Sequence, residues 1–471
     1  MATNWDVVVV GGGIAGLVTG LELKKRGLKA LVLEASGQPG GYLAQNEFTY
    51  ANKTLAFDVG AESFASRDQR SQEYFRELGL ELTDPNPLGA WHFSTKTTHR
   101  GEPKAVARPL PKTAVLGIPA SLFRWDVLRS IGLAGVLRAS QDYVRPLKDS
   151  DLEADLATLV RNRLGQRALD HLVFPVTSGV FSTSPAQLHL ASLHPPLAQQ
   201  LQERKSLLRA AAQLTASAQK AGSAVHGING GMFTVVDRMA SELHENQSLS
   251  LRTKVTALSF DASTKLWSIQ TKRRTFQAPK LVLSTPFQVS TKLLGLDIPG
   301  GQGTDIALLT CLVKSARLNS FPRGSGLLVS ADASVGAKAS THSNAKWPWL
   351  DAQIRELWGP DLHLIRLSYG RKDASANTFS DRELELQAVR DLATLYGLKG
   401  KDFTILNTQV TRWPNALPPF SSEYRKVVTE LRTQVANLPV YLVGSWVAGS
   451  GIVATLNNAL KVCQEITQEV R

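Results

Sequence analysis

The chain has 471 residues, 43% of them apolar and 20% charged, which suits roughly two or three packed domains and excludes a disordered chain. Its two cysteines, Cys311 and Cys463, exclude a disulfide-stapled scaffold and any four-thiolate metal or cluster site. The net charge of +13 favours anionic partners: phosphates, carboxylates, nucleic acid or an acidic membrane surface. Asp6–Val10 then reads as a buried parallel strand. Gly11-Gly12-Gly13-Ile14-Ala15-Gly16 follows at once, leading into an amphipathic helix to about Arg26 that Gly27 ends. A second strand covers Leu28–Leu33, and Glu34 closes it. This is a βαβ dinucleotide fingerprint in register. Gly11 permits the tight turn, Gly13 lets a pyrophosphate approach the backbone, and Gly16 lets the helix pack on the strand. The helix start offers unpaired N–H groups and a positive dipole end to phosphates. Glu34 lies 21 residues after Gly13, where a carboxylate accepts hydrogen bonds from ribose hydroxyls and repels a 2′-phosphate. The fingerprint alone leaves FAD and NAD both open. No secretory signal is visible, and no apolar run approaches the ~20 residues that span a bilayer.

The next segment separates the two cofactors. Ala35-Ser36-Gly37-Gln38-Pro39-Gly40-Gly41-Tyr42 and Phe57-Asp58-Val59-Gly60-Ala61-Glu62-Ser63-Phe64 resemble the FAD-binding start of the amine oxidase–protoporphyrinogen oxidase superfamily. The middle of the chain is similar to the porphyrinogen oxidases in particular. Phe174-Pro175-Val176-Thr177-Ser178-Gly179-Val180-Phe181, Gly230-Gly231-Met232, Gly324-Ser325-Gly326-Leu327, Ser343-Asn344-Ala345-Lys346-Trp347-Pro348 and Val410-Thr411-Arg412-Trp413-Pro414 carry that resemblance. At the end, Gly444-Ser445-Trp446-Val447-Ala448-Gly449-Ser450-Gly451-Ile452 opens a helix continuing to about Val470. The resemblance runs from about residue 5 to the end. It implies FAD, bound non-covalently, with Ala35, Gly40, Gly41, Tyr42, Gly60, Ala61, Glu62 and Ser63 at the phosphates and flavin edge. It puts Val255 near the adenine, Gly451, Ile452 and Val453 at the flavin pyrimidine, and Trp413 at the flavin, where the residue alone reads first as a core aromatic. Gln38 stands where relatives often carry Arg, and Val453-Ala454 where they commonly carry Pro and an acid.

The expected fold is α/β. A Rossmann-like FAD domain is assembled from residues 1–90, 223–290 and 405–471. A mainly helical, substrate- or membrane-facing insertion covers 91–222, and a strand-rich substrate domain, helical across Asp381–Tyr396, covers 291–404. The nine histidines lack metal-ligand spacing, so no metal is expected, and His189 and His194 read as surface or packing residues. Ser182 and Ser184 sit in no nucleophile elbow. Residues 91–146 carry nine Lys or Arg against three Asp or Glu: a solvated basic face, a funnel for a polycarboxylate, or a patch for an acidic membrane. Val115–Leu137 reads first as a buried amphipathic helix, with peripheral membrane contact as the other reading. No stacking module accompanies the charge, so nucleic-acid binding is not expected.

The resemblance implies an oxygen-dependent, six-electron oxidation of a porphyrinogen in haem biosynthesis, releasing hydrogen peroxide. Its partners would be a tetrapyrrole, dioxygen and the next haem-pathway enzyme. No catalytic acid or base is assigned. Lys346 is the basic candidate for a substrate carboxylate, against an equal reading as a surface lysine. Coproporphyrinogen III, with four propionates, suits a basic chain better than protoporphyrinogen IX, and the sequence looks more like the bacterial coproporphyrinogen III oxidases. The alternatives are protoporphyrinogen IX, another substrate of the superfamily such as a polyene or an amine, and a non-catalytic flavin- and porphyrin-binding scaffold. The expected location is the cytoplasm, with contact at the inner face of the membrane as an addition.

Overall fold

The computed structural model describes residues 5–97, 103–110, 114–181, 183–219, 225–330, 333–370, 376–419 and 421–470. Arg100 and Ser182 lie outside them. Five parallel strands form the first sheet, in the order Leu249–Ser250, Ala30–Leu33, Val7–Val10, Lys280–Leu283, Val440–Leu442. Val7–Val10 is buried at every position because both faces are covered. Val7 and Val9 enter a core shared with the helices Ile14–Lys25, Phe233–Glu245 and Ile452–Val470. Val8 and Val10 enter a second core. It is roofed by the antiparallel strands Val255–Asp261, Leu266–Thr271 and Thr275–Ala278 and by the helix Ser422–Gln434. The helix Ile14–Lys25 is buried nearly all round, from Ala15 to Leu21 and at Leu23, and not one-sided as the sequence suggests. It is packed between the sheet and two helices, which removes the need for a polar stripe.

A second sheet has seven strands, in the order Thr404–Leu417, Thr304–Lys314, Leu362–Tyr369, Ala339–His342, Gly326–Val329, Trp91–Thr97, Pro103–Pro109. The helix Asp381–Tyr396 covers one face; Ser380 and Glu383 form its capping box. This sheet crosses two expected boundaries. Residues 91–109, read as the start of a helical insertion, supply two of its strands. Residues 404–417, read mostly as part of the FAD domain, pair along Thr304–Lys314. Strand pairing over such sequence separations leaves no local signal beyond the strand itself.

Helices do dominate residues 125–219 and share one core. Arg163 is buried within it and donates to Asp142 at 2.6 Å, while Asp142 also accepts from Ser206 Oγ and Leu208 N–H. Val115–Leu137 is not one buried helix. Short strands at Ala114–Val115 and Ile118–Pro119 precede a helix over Trp125–Ser140, kinked at Gly132 (φ 70°, ψ 170°). Around that helix Phe123, Trp125, Leu133, Leu137 and Val144 are exposed. Among the described residues, no helix is long and apolar enough to cross a membrane, and no cluster of three or more His, Cys, Asp or Glu has metal-binding geometry.

Candidate functional site

The first strand ends in a turn whose shape is set by missing side chains. Gly11 has φ 107°, and a Cβ there would lie 2.9 Å from the Ser284 carbonyl. A Cβ on Gly16 would lie 1.9 Å from the Gly11 carbonyl oxygen, so only glycine lets the helix Ile14–Lys25 start this close to the strand. The helix has no side-chain cap at Gly13 and no acid in its first turn, which leaves its N-terminal N–H groups to a ligand. Ile14 is partly buried and Ala15 buried, so both serve packing. Glu34 lies at the end of the neighbouring strand, where its two carboxylate oxygens accept from Gly12 N–H at 2.7 Å and Ser36 N–H at 2.8 Å. Two backbone bonds thus aim an anionic acceptor beside the turn.

The second glycine pair closes on the first. Gly40 N–H donates to Gly12 O at 2.7 Å, and Gly13 forms a bridge with Gly40. A Cβ on Gly41 would reach Gly13 Cα at 3.3 Å, whereas one on Gly13 would meet nothing within 4 Å. Gly13 therefore faces open space, while Ala35 is exposed. Ser284 Oγ is buried near Gly16 and makes no hydrogen bond. An open glycine, an uncapped helix start and an acid held by backbone amides together fit a dinucleotide.

The remaining predicted residues come from further along the chain. Tyr42 O accepts from Ala61 N–H at 2.9 Å and would sit 1.9 Å from a Cβ on Gly60. The rings of Tyr42 and Trp413 meet edge-on, 5.4 Å apart, and Trp413 Nε1 donates to Val59 O at 2.9 Å. Trp413 thus bridges the second sheet to the segment 58–62. Ile452 and Val453 open the last helix and pack on the same core as Ile14, with Gly451 just ahead of them. Val255 is different: its side chain is buried in the core of the opposite face. Its segment still passes Glu34, whose carbonyl accepts from Thr253 N–H at 2.7 Å.

Glu62 is the centre of a cluster that the sequence does not announce. Lys346 Nζ lies 2.6 Å from Glu62 Oε1 and Arg366 Nη2 lies 3.1 Å from Oε2. Lys346 is therefore partly buried and ion-paired. Burial alone would raise the Glu62 pKa; the Arg366 and Lys346 cations outweigh it and hold the carboxyl below its usual range. Arg366, in the strand Leu362–Tyr369, belongs to no motif and carries no local sequence signal. Nearby Asp58 accepts from Met232 and Phe233 N–H, at 2.9 and 3.0 Å. Burial nevertheless pushes its pKa up to about 7. The histidines behave as packing groups: His189 Nε2 bonds Leu152 O, and His194 Nδ1 accepts from Leu197 N–H.

Residues 14–308 match the flavin containing amine oxidoreductases, and the chain belongs to that family. It is an FAD-dependent oxidoreductase by that membership. Coproporphyrinogen III oxidase of Mycobacterium leprae is 28% identical, over 99% of both chains. The enzyme of that name from Bacillus subtilis is 25% identical, over 95% of this chain and 94% of its own. Protoporphyrinogen oxidase 2 of Arabidopsis thaliana is 22% identical, over 92% and 88%. A crystal structure from Exiguobacterium sp. 255-15, provisionally described as a protoporphyrinogen oxidase, shares the fold with a TM-score of 0.80. It is 21% identical and covers 100% of this chain and 99% of its own.

Proposed function

We propose that the protein is a porphyrinogen oxidase that converts coproporphyrinogen III to coproporphyrin III with dioxygen as acceptor. The observation that carries this is the end-to-end similarity to relatives named coproporphyrinogen III oxidase. In this reading the Gly11–Gly16 turn and helix start would hold the pyrophosphate of FAD, and Glu34 the ribose. Gly40–Tyr42, Gly60–Ser63, Trp413 and Gly451–Val453 would surround the flavin. The flavin supplies hydride acceptance and reoxidation by dioxygen, giving peroxide. The chain's own task is to bind and orient. Methylene bridges flanked by pyrroles are already activated, so no residue is given the role of acid or base. Lys346 is held in its pair with Glu62 and is not free for a substrate carboxylate, whereas Arg108, Arg138 and Arg145 are fixed by backbone carbonyls in the basic region and keep their charge. These charges favour a tetra-anionic substrate over a di-anionic one.

The test is anaerobic reduction of the bound flavin by coproporphyrinogen III and by protoporphyrinogen IX, side by side. Faster bleaching with coproporphyrinogen III, and peroxide on admitting air, supports the reading. Faster bleaching with protoporphyrinogen IX exchanges the substrate; bound porphyrin without bleaching supports a scaffold instead. Acid precipitation should leave the yellow colour in the supernatant, as non-covalent FAD requires.

A location at a membrane surface has its own support. Phe123, Trp125, Leu133, Leu137 and Val144, 70–88% exposed, are the most exposed large apolar side chains among the described residues, and all lie within one short stretch. Exposed Arg124, Arg129, Arg145 and Lys148 accompany them. Arg124 is paired with Asp126, so Arg129, Arg145 and Lys148 supply the cations that accompany the apolar side chains, a combination that suits an anionic lipid surface. Sedimentation with phosphatidylglycerol vesicles should retain the protein and lose it on Trp125→Ser with Leu137→Ser; equal recovery of both forms would remove this contact.

A further inference from the structure

The Glu62–Lys346–Arg366 cluster joins the seven-stranded sheet to the segment 58–62. Glu62 follows the hairpin Gln45–Tyr50/Lys53–Asp58 of the cofactor side. Arg366 projects from the middle of the seven-stranded sheet, where its neighbours in register are Thr310 and Thr341. Lys346 ends the short helix after Ala339–His342. All three side chains are nearly removed from solvent, at 10%, 11% and 17% exposure. An ion pair so placed must be matched in geometry to offset its desolvation, and here the match extends beyond the carboxylate.

Arg366 Nη1 donates to Gly60 O at 2.9 Å and reaches Asp58 O at 3.4 Å, while Nη2 meets Glu62. From the other side, Tyr42 O takes the Ala61 N–H and blocks any side chain at Gly60. Segment 58–62 is thus gripped between the backbone of Tyr42 and one guanidinium. Only a planar fork with several donors serves two carbonyls and a carboxylate at once; a lysine ammonium does not. Two cations also share one carboxylate, so the ionised cluster carries one net positive charge. Asp58 lies close enough to feel both Glu62 and Arg366, but burial pushes its carboxyl up to about 7, so below that pH it is neutral and leaves the positive charge uncancelled, and the potentials are compared there.

We propose that Arg366 is a positioning residue for the cofactor: it fixes segment 58–62 for FAD, and with Lys346 and Glu62 it sets a net positive charge that favours the more negative, reduced flavin. The inference rests on the assignment of Gly60–Ser63 to the flavin and is independent of the porphyrinogen substrate. Its test therefore uses FAD alone, with dissociation constants from apoprotein titration and midpoint potentials of the reconstituted holoprotein. Arg366→Lys keeps the charge and loses the fork, so the FAD dissociation constant should rise by about tenfold, with the potential close to the parent's. Glu62→Gln keeps the shape and removes the negative charge, so the potential should move positive. Arg366→Ala loses both, so affinity should fall further and the potential should move negative. A purely structural role would lower apoprotein melting temperature in all three without moving the potentials in opposite directions. Parental FAD affinity in Arg366→Lys overturns the positioning claim. Potentials that stay fixed, or move together, in Glu62→Gln and Arg366→Ala overturn the charge claim. If Arg366→Ala does not fold, a potential that fails to move positive in Glu62→Gln overturns the charge claim on its own.

Discussion

The Gly11–Gly16 turn and the Glu62–Lys346–Arg366 cluster reach precision by opposite means. The turn is made of backbone: its contacts are N–H groups, carbonyls and the space left by absent Cβ atoms. The cluster is made of side chains delivered by three segments, with Glu62 and Lys346 284 positions apart in sequence. A backbone site tolerates almost no added atom but asks little of the rest of the chain. A side-chain site depends on the register of a whole sheet, and each member loses its value when another is removed.

The sharpest way to break the comparison is to add one carbon to the turn. Gly16→Ala puts a Cβ 1.9 Å from the Gly11 carbonyl, so about 3 kcal/mol of stability and nearly all FAD binding should be lost. Gly13→Ala adds the same carbon to open space, at an extended φ of −69° that alanine accepts. Its apoprotein should melt with the parent while FAD affinity falls. Equal melting of both variants would mean that the turn is not set by backbone contact; unchanged FAD affinity in Gly13→Ala would mean that the cofactor does not lie over Gly13.

The comparison also explains what the sequence reveals. Strand, turn, helix and acid lie within residues 6–34, each marked by composition: a valine run, glycines, a lysine-rich helix end and Glu34. Local order is enough to read them. The same holds for Asp381–Tyr396, where the Ser380–Glu383 capping box and Gly397 mark both ends. Arg366 has no such mark. It is one arginine in an apolar strand, and only the pairing of Leu362–Tyr369 with strands around 310 and 340 brings it to Glu62. The mixed origin of the seven-stranded sheet escaped for the same reason. Its outer strands come from near residues 100 and 410, and a strand does not encode its neighbour's address. Trp413 was legible only through the resemblance, since its bond to Val59 depends on that same sheet.

A second side-chain site in the seven-stranded sheet gives the comparison a pH axis. His363 Nε2 lies 3.0 Å from Ser315 O, which can only accept, so that nitrogen carries the proton. His363 Nδ1 then accepts from His342 Nε2 at 3.1 Å. Burial holds both rings neutral, pushing His363 down to about 4 and His342 well below its ordinary value. The unfolded chain takes up a proton near pH 6.5 and the folded one does not. Stability is therefore full above pH 6.5 and is lost as pH falls from there towards 4, by about 3 kcal/mol for His363 alone. Hydrogen exchange at pH 5 should show protection lost in the seven-stranded sheet before the parallel sheet. Asp58, pushed up to about 7, gains stability over the same fall in pH, so the local readout decides: uniform loss of protection across the two sheets would contradict it.

Glu34 stands between the two kinds of site, a side chain working wholly on backbone. Glu34→Ala leaves Gly12 and Ser36 N–H groups without their acceptor and, in the proposed FAD site, would remove a charge-assisted partner for ribose. FAD affinity should fall by ~1.5–3 kcal/mol, with circular dichroism unchanged. Flavin titration and circular dichroism on one sample decide it: an unaltered dissociation constant would detach Glu34 from the cofactor.

The smallest expected effect concerns the contact that ties the two regions together. Trp413 has two functions in the structure: its ring packs edge-on against Tyr42, and its Nε1 holds the Val59 carbonyl beside Gly60. Trp413→Phe keeps most of the ring contact and removes the donor, leaving a partly buried carbonyl to find water. The cost should be about 1 kcal/mol, the net worth of one neutral hydrogen bond. If segment 58–62 is gripped mainly by Arg366 and Tyr42, that cost should appear in melting temperature while FAD affinity changes only slightly. Adding Trp413→Phe to Arg366→Lys then separates the alternatives. Contacts on one shared segment should couple, so the double variant should lose more FAD affinity than the two single losses added together. Simple additivity would mean that the tryptophan steadies the sheet edge alone, and that the guanidinium is sufficient to place the segment.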